Sequence, residues 1–281
     1  MSKDRHVLEA LGKTRVVVED GKVIEIGRPL VGYCRLWDKI RGIKELNERA
    51  VKENIEFRIK DFGMCTGDRM VEMDAFVGFG ASETFMTALS RGLLDCTVTV
   101  CEGAGTVITA NPALVQGIGG RLSGVCETTP VAGIITKLKE KGGLILNPPR
   151  IDQPAGLQMA LDDGYQRVGV TVSTVKDAQQ CRAISEGAII VGVHLTGISR
   201  EDAEALCAIA DLVTACASPH IRDLAGTKAV LQAGTAVPLF ALTGRGKEIL
   251  LERAKEIKEP LLVNTMRLPV LPADKQPKPL V

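Results

Sequence analysis

Cys101, His194 and Cys216 are the residues whose types and positions could do chemistry in this chain. Each stands where a short apolar run ends and a turn or helix start follows, in CTVTVCEGAG, VGVHLTGIS and DLVTACASPH. A thiol beside a helix N-terminus meets the positive end of the helix dipole, which favours the thiolate as nucleophile or ligand. Cys216 has that position, two residues before Ser218-Pro219, with His220 in the same first turn. An imidazole titrates near neutrality, so His194 suits proton transfer or ligation. For all three the plain alternative is packing: a small residue in a tight strand-to-helix turn, or a histidine satisfied within the core. Cys34, in GYCRLWDK, could join Cys101 and Cys216 in a distant ligand set.

A second kind of chemistry is carried by glycine. Gly78-Phe79-Gly80-Ala81-Ser82 follows an apolar run and opens a helix that Ser82 is expected to cap, so its backbone N–H groups could cradle an anion. Gly103 and Gly105 form the turn after Cys101, and Gly117-Ile118-Gly119-Gly120-Arg121 offers another flexible loop ending in a cation. Gly78, Gly80, Ser82, Gly103, Gly105, Gly119, Gly120 and Arg121 are therefore the candidate anion or cofactor contacts. The spacing fits neither the Rossmann fingerprint nor a P-loop, which leaves dinucleotides and nucleoside triphosphates without support. Turn geometry alone also explains glycine wherever φ must be positive.

The elements that must position these residues are legible in the second half. RVGVTVSTVKDAQQ, AIIVGVHLTGISREDAE, DLVTACASPHIRDLAG and AVPLFALTGRGKEILLERA share a layout of apolar run, small polar residue or thiol, then capped amphipathic segment. Continuously apolar strands alternating with helices imply a mostly parallel, Rossmann-like layered α/β sheet. Ligands of such sheets bind beyond the strands' carboxyl ends, which would align Ser173, His194, Thr196, Cys216 and Ser218 on one edge. The first half is expected to begin with a β-hairpin around Asp20-Gly21, continue with a helix over about 39–54, and run strand, glycine turn and helix through DAFVGFGASETFMTALS. NPPRIDQP is the best internal boundary. It divides an N-terminal α/β domain, 1–146, from a C-terminal βα-repeat domain, 147–281, with an extended proline-rich tail.

Composition narrows the function. Net charge is +1 and aromatics are 3%, so neither the basic field nor the stacking platform of a nucleic-acid binder is present. No apolar run approaches the roughly 20 residues of a membrane span, and the charged N-terminus does not read as a signal peptide, so a cytoplasmic protein is expected. Eight cysteines without a C-x-x-C pair read as packers or reactive thiols rather than as a zinc ribbon or local cluster motif. Cys181 and Cys207 fall on helical patterns as packers, Cys96 and Cys101 point to opposite faces of a regular strand, and His6 reads as a surface residue.

The blocks GKTRVVVEDGKVIEIGRPL, NIEFRIKDFGMCT, DAFVGFGASE, CEGAGTVITANPALVQGIGGRLSG, HLTGISREDAE, DLVTACAS and LPVLPADKQPKPL together resemble the methanogenesis marker protein 8 family, archaeal proteins of unknown function. The resemblance runs in order from about Val7 to the last residue. It implies an anaerobic, cytoplasmic, methanogen-type setting and no particular reaction, because the family supplies no catalytic residues to carry over. The stretch 144–153 and Cys65 depart from the pattern, which makes Cys65 a poor choice of ligand. Three readings follow. The chain binds a small anionic ligand or cofactor and acts on it; or it is an assembly factor collecting an iron–sulfur cluster or metal for a methanogenesis enzyme; or it is a non-catalytic binding module.

Overall fold

The computed structural model describes residues 4–120 and 124–281. The chain opens with three antiparallel strands, β1 (Arg5–Ala10), β2 (Thr14–Glu19) and β3 (Lys22–Ile26). The expected hairpin at Asp20-Gly21 joins β2 to β3, with both turn residues at positive φ as a two-residue hairpin turn requires. Sequence pattern missed β1, which is tied to β2 through a turn at Gly12, φ +69°. The expected helix over 39–54 is two helices, α1 (Arg35–Arg41) and α2 (Glu48–Phe62). Gly42 ends α1 in the left-handed conformation, and the Asn47 side chain starts α2 by accepting from the Ala50 N–H.

No strand forms over DAFVGFG. The segment is irregular until α3 (Ala81–Ser90), because side chains take its backbone groups in place of a ladder. Glu83 accepts from the N–H groups of Phe76 and Val77 at 3.2 and 3.1 Å. Arg253 donates to the carbonyls of Gly78 and Val77 at 2.7 and 3.2 Å. After it come β4 (Cys96–Cys101) and β5 (Gly105–Thr109), a hairpin whose turn holds Gly103 and Gly105, both at φ +75°. Next are α4 (Pro112–Gly119), started by Asn111, then β6 (Gly124–Thr128), α5 (Ala132–Glu140) and β7 (Leu144–Ile145). The 117–120 glycines are therefore helix and helix end rather than an open loop. A Cβ at Gly117 would collide with the Val71 backbone, so glycine there allows the chain to cross close to α4.

The repeats follow as expected in order: α6 (Gln153–Asp162), β8 (Val168–Val172), α7 (Val175–Ile184), β9 (Ile189–Gly192), α8 (Arg200–Ile209), β10 (Leu212–Thr214), α9 (Pro219–Lys228), β11 (Leu231–Ala233), β12 (Leu239–Ala241) and α10 (Gly244–Lys255). Thr174, Ser199, Ser218 and Thr243 cap α7, α8, α9 and α10 as their sequence positions imply. The tail is extended apart from one turn of 3₁₀ helix at Ala273–Lys275, and residue 278 pairs back onto Tyr33.

The strands form two sheets. One is antiparallel in the order β3-β2-β1-β6; the other has the order β11-β12-β10-β9-β8-β4-β5-β7. Within the larger sheet β10, β9, β8 and β4 are parallel, which is the expected Rossmann-like element. The fourth repeat differs: β12 runs antiparallel to β10, so Thr243 falls at the opposite edge from Cys216. The larger sheet draws β4, β5 and β7 from before residue 147 and β8 to β12 from after it, so the NPPRIDQP segment lies between strands of one sheet. Helices cover both faces. Residues of α6 to α9 pack on one, and residues of α3, α4 and α10 on the other.

A buried ion pair joins the layers. Arg69 Nε donates to Glu102 Oε1 at 2.6 Å, with both side chains essentially inaccessible. The guanidinium also donates to the carbonyls of Gly117 and Met70. Removing one member of a buried pair leaves an uncompensated charge and costs about 3–5 kcal/mol. Glu102→Ala should therefore lower unfolding free energy by about that much in urea titrations. The double variant Arg69→Met/Glu102→Leu should lose less than Glu102→Ala alone; equal or larger loss would show that the charge itself is not what costs.

Candidate functional site

The four parallel strands bring their carboxyl ends to one edge, and the small sheet with α1 and α2 stands over it. Between them lies a cavity of about 1180 Å³. That is at or above the size that takes a drug-sized ligand, roughly 300–1,000 Å³. Gly78, Gly80, Ser82, Gly119, Gly120, His194 and Cys216 all line it, together with Thr99 of β4, Ser173 after β8 and Thr214 of β10. Ser173, His194 and Cys216 are expected on one edge from the sequence, whereas the glycines are placed separately. The topology places them on one wall.

His194 and Cys216 occupy equivalent stations after β9 and β10, and both hold a left-handed backbone, φ +58° and +43°. L side chains adopt that conformation at a cost, and such residues cluster at functional sites. The imidazole of His194 is accessible through the cavity it lines, and lies within the fold rather than on its outer surface. That burial, with the Lys13 ammonium nearby, pulls its pKa from 6.5 down to about 4, so at neutrality the ring is uncharged and can accept a proton. Cys216 Sγ lies 3.6 Å from Thr214 Oγ1, and the Leu195 N–H is also directed at it. These donors favour a thiolate, yet burial outweighs them and raises the thiol pKa above 9.0. Activation by the α9 dipole does not win here.

Cys101 stands elsewhere. It is fully buried at the end of β4, donates to the Glu102 carbonyl, and has its pKa pushed well up by burial and by the Glu102 carboxylate. Gly103 and Gly105 share that neighbourhood, outside the cavity wall. Their job there is close packing: a Cβ at Gly103 would press on Val131 at 3.1 Å, and one at Gly105 would meet the Arg150 backbone. Cys34 is partly buried, with its pKa raised by burial, and is near enough to Cys216 for their charges to interact. Cys34, Cys101 and Cys216 do not assemble a ligand set; among the described residues no three His, Cys, Asp or Glu side chains are placed to hold a metal ion. Arg121 lies outside the described residues.

Other expectations are corrected by geometry. Ser82 is not the cap of α3; Gly80 is, with no side-chain cap, and Ser82 Oγ instead donates to Glu83 Oε2 at 3.1 Å. His6 is not on the surface but fully buried, with Nδ1 paired to Thr128 Oγ1 at 2.7 Å. Thr196 and Ser218 are buried on the same edge and do structural work, Thr196 Oγ1 accepting from the Ala217 N–H at 3.1 Å.

Several wall residues carry no signal in the sequence. Glu9 and Lys13 come from the first hairpin and form an ion pair of 3.3 Å; burial raises the Glu9 pKa. Lys13 also donates to the Thr196 carbonyl, fastening the small sheet to the His194 loop. Cys126, on β6, is the one exposed cysteine, and it opens on the cavity. Trp37 and Phe57, from α1 and α2, line the opposite wall. Neither β1 nor β6 is read as a strand from the sequence, and no local pattern reveals what an element faces across a gap.

The architecture is that of a mixed α/β protein with a ligand-sized cavity at the carboxyl ends of its parallel strands. Residues 6–255 match the family described as uncharacterized protein conserved in archaea (DUF2099), and the chain belongs to that family. It is also 49% identical, over 99% of its length and 100% of the relative's, to an uncharacterized protein of Methanocaldococcus jannaschii. Among the described residues no helix is long and apolar enough to cross a membrane.

Two outcomes check this site. Because the unfolded chain protonates His194 near 6.5 and the folded chain only near 4, the unfolded state binds more protons between those values. Stability should thus be full above pH 6.5 and fall as pH drops toward 4, and His194→Gln should flatten that part of the profile. Histidine NMR titration should show this ring neutral throughout pH 6–8. Iodoacetamide on the native protein should modify Cys126 first and leave Cys101, Cys181 and Cys207 unmodified until unfolding, since burial holds these thiols protonated; mass spectrometry of the digest reads the order.

Proposed function

We propose that this protein binds a small anionic ligand or cofactor in the carboxyl-edge cavity, with His194 as the proton acceptor if the bound molecule is acted on. The observation that carries the reading is convergence: the glycine loop at 78–80, the Gly119-Gly120 helix end, His194 and Cys216 line one cavity. The α3 N-terminus at Gly80 has no side-chain cap hydrogen bond, and the Glu83 carboxylate beside it accepts from the Phe76 and Val77 N–H groups, which leaves the first N–H groups of the helix for a bound anion. Lys13, Arg35, Lys39 and Arg41 add cations around the wall. A neutral imidazole on the same wall supplies a base without bringing a positive charge of its own. The resemblance to methanogenesis marker protein 8 and the methanogen relative support a place in that metabolism, inside the cytoplasm and without nucleic-acid or membrane partners. A methanogenesis enzyme is the macromolecular partner this setting suggests.

Thermal shift against pyrophosphate, sulfate and citrate tests the anion. A ligand at 100 times its Kd stabilises by about 2.7 kcal/mol, which is visible as a raised Tm. Gly80→Val should abolish that rise, because a Cβ at Gly80 would run into the Glu83 carboxylate and sit 3.0 Å from Val77, displacing the loop. An undiminished rise in a folded Gly80→Val protein would remove the loop from the site.

A further inference from the structure

The aromatic residues of this chain are few and unevenly placed. Phenylalanine occurs six times and tryptophan once, yet five of those phenylalanines and the tryptophan line the cavity. Phe62 and Phe85 are buried behind the surface, whereas Phe57 and Phe76 are 37% and 44% accessible, and Trp37 and Phe79 partly so. An apolar wall needed only for folding would be filled from within by such side chains. These instead leave ring surface facing open space. Beside Trp37 and Phe57, on α1, stand two cations that no carboxylate neutralises among the described residues: Lys39, and Arg41, whose guanidinium lies 3.7 Å from the Phe57 ring centroid. Arg58 similarly lies 5.0 Å from the Trp37 ring. Guanidinium groups laid on rings leave an assembly suited to a flat π-system carrying negative charge.

We propose that the ligand is a planar aromatic anion, its ring body against Trp37, Phe57 and Phe76 and its charge met by Lys39 and Arg41. This rests on the anion-binding reading and narrows it from any small anion to one with an aromatic body. The volume, about 1180 Å³, accommodates a fused-ring compound carrying one charged group. Rings stacked on aromatic side chains gain on the order of 1 kcal/mol beyond their buried area, which an aliphatic chain of equal size does not obtain.

Trp37, as the single tryptophan, makes the test direct. The probe is anilinonaphthalene sulfonate, a flat aromatic anion that accepts energy from tryptophan; the competitors are heptane sulfonate, naphthalene and inorganic sulfate. Expected is sensitised probe emission saturating at one site per chain, with heptane sulfonate and naphthalene each competing at least tenfold more weakly than the probe binds. Phe76→Leu should weaken the probe several-fold and leave heptane sulfonate unchanged; Lys39→Gln should weaken both sulfonates, with circular dichroism confirming the fold. If heptane sulfonate competes as well as the probe binds, the aromatic assignment falls and anion binding stands. If naphthalene matches the probe and Lys39→Gln changes nothing, anion binding falls as well. Probe binding, read by direct excitation of the probe, that survives Phe76→Leu and Trp37→Leu unchanged overturns the proposal.

Discussion

Three buried arginines hold the irregular backbone around the cavity. Each is about 5% accessible or less, and each spends its donors on carbonyl groups that no strand or helix satisfies. Arg69 serves Met70 and Gly117, Arg253 serves Val77 and Gly78, and Arg222 serves Cys216 and Ala236. A buried carbonyl without a partner costs about as much as a lost hydrogen bond, and a loop that lines a cavity has many. A guanidinium, planar and always charged, can satisfy two or three at fixed angles. The glycine loop, the end of α4 and the Cys216 turn keep their shapes for this reason, and the cavity keeps its walls.

The same solution determines the electrostatics of the site. Arg69 needs a counter-charge, and Glu102 supplies it at the end of β4, which turns the Cys101 neighbourhood into a structural node instead of a reactive one. With Cys101 committed to the core, the accessible chemistry of the cavity passes to His194, Cys216 and Cys126. Both His194 and Cys216 are held in the charge-neutral form by burial, in one case against protonation and in the other against deprotonation. The cavity wall carries cations from Lys13, Arg35, Lys39 and Arg41 and carboxylates from Glu9, Asp61, Glu83 and Asp177, so an incoming anion is drawn to the stretch around Lys39 and Arg41.

Two sheets meet at the cavity, and neither closes it alone. The larger supplies strand ends with Thr99, Ser173 and His194; the smaller, with α1 and α2, supplies Glu9, Lys13, Trp37 and Phe57. Contact between them is polar where it is specific: Lys13 to the Thr196 carbonyl, and Thr128 Oγ1 accepting from the Gly103 N–H at 2.7 Å. The apolar stripe of α2 packs on the small sheet, and Ala217 from the turn after β10 joins the same cluster.

The sequence by itself determined what short-range physics controls. Continuous apolar runs made β8, β9 and β10 parallel core strands, Ser199 and Ser218 capped the helices after them, and Asp20-Gly21 formed its hairpin, because these features depend on side-chain periodicity and local backbone preference. The alignment of His194 and Cys216 on one edge followed from that alone. Only the tertiary structure decided the rest. His6 reads as a surface residue and DAFVG as a strand; His6 is buried against Thr128, and the backbone of 76–78 is taken by Glu83 and Arg253 instead of a ladder. Cys101 and Cys216 have nearly the same local pattern, yet one is sealed beside Glu102 and the other opens on the cavity. The reason is physical: burial and electrostatic environment are properties of what packs against a residue, and no local pattern carries that information.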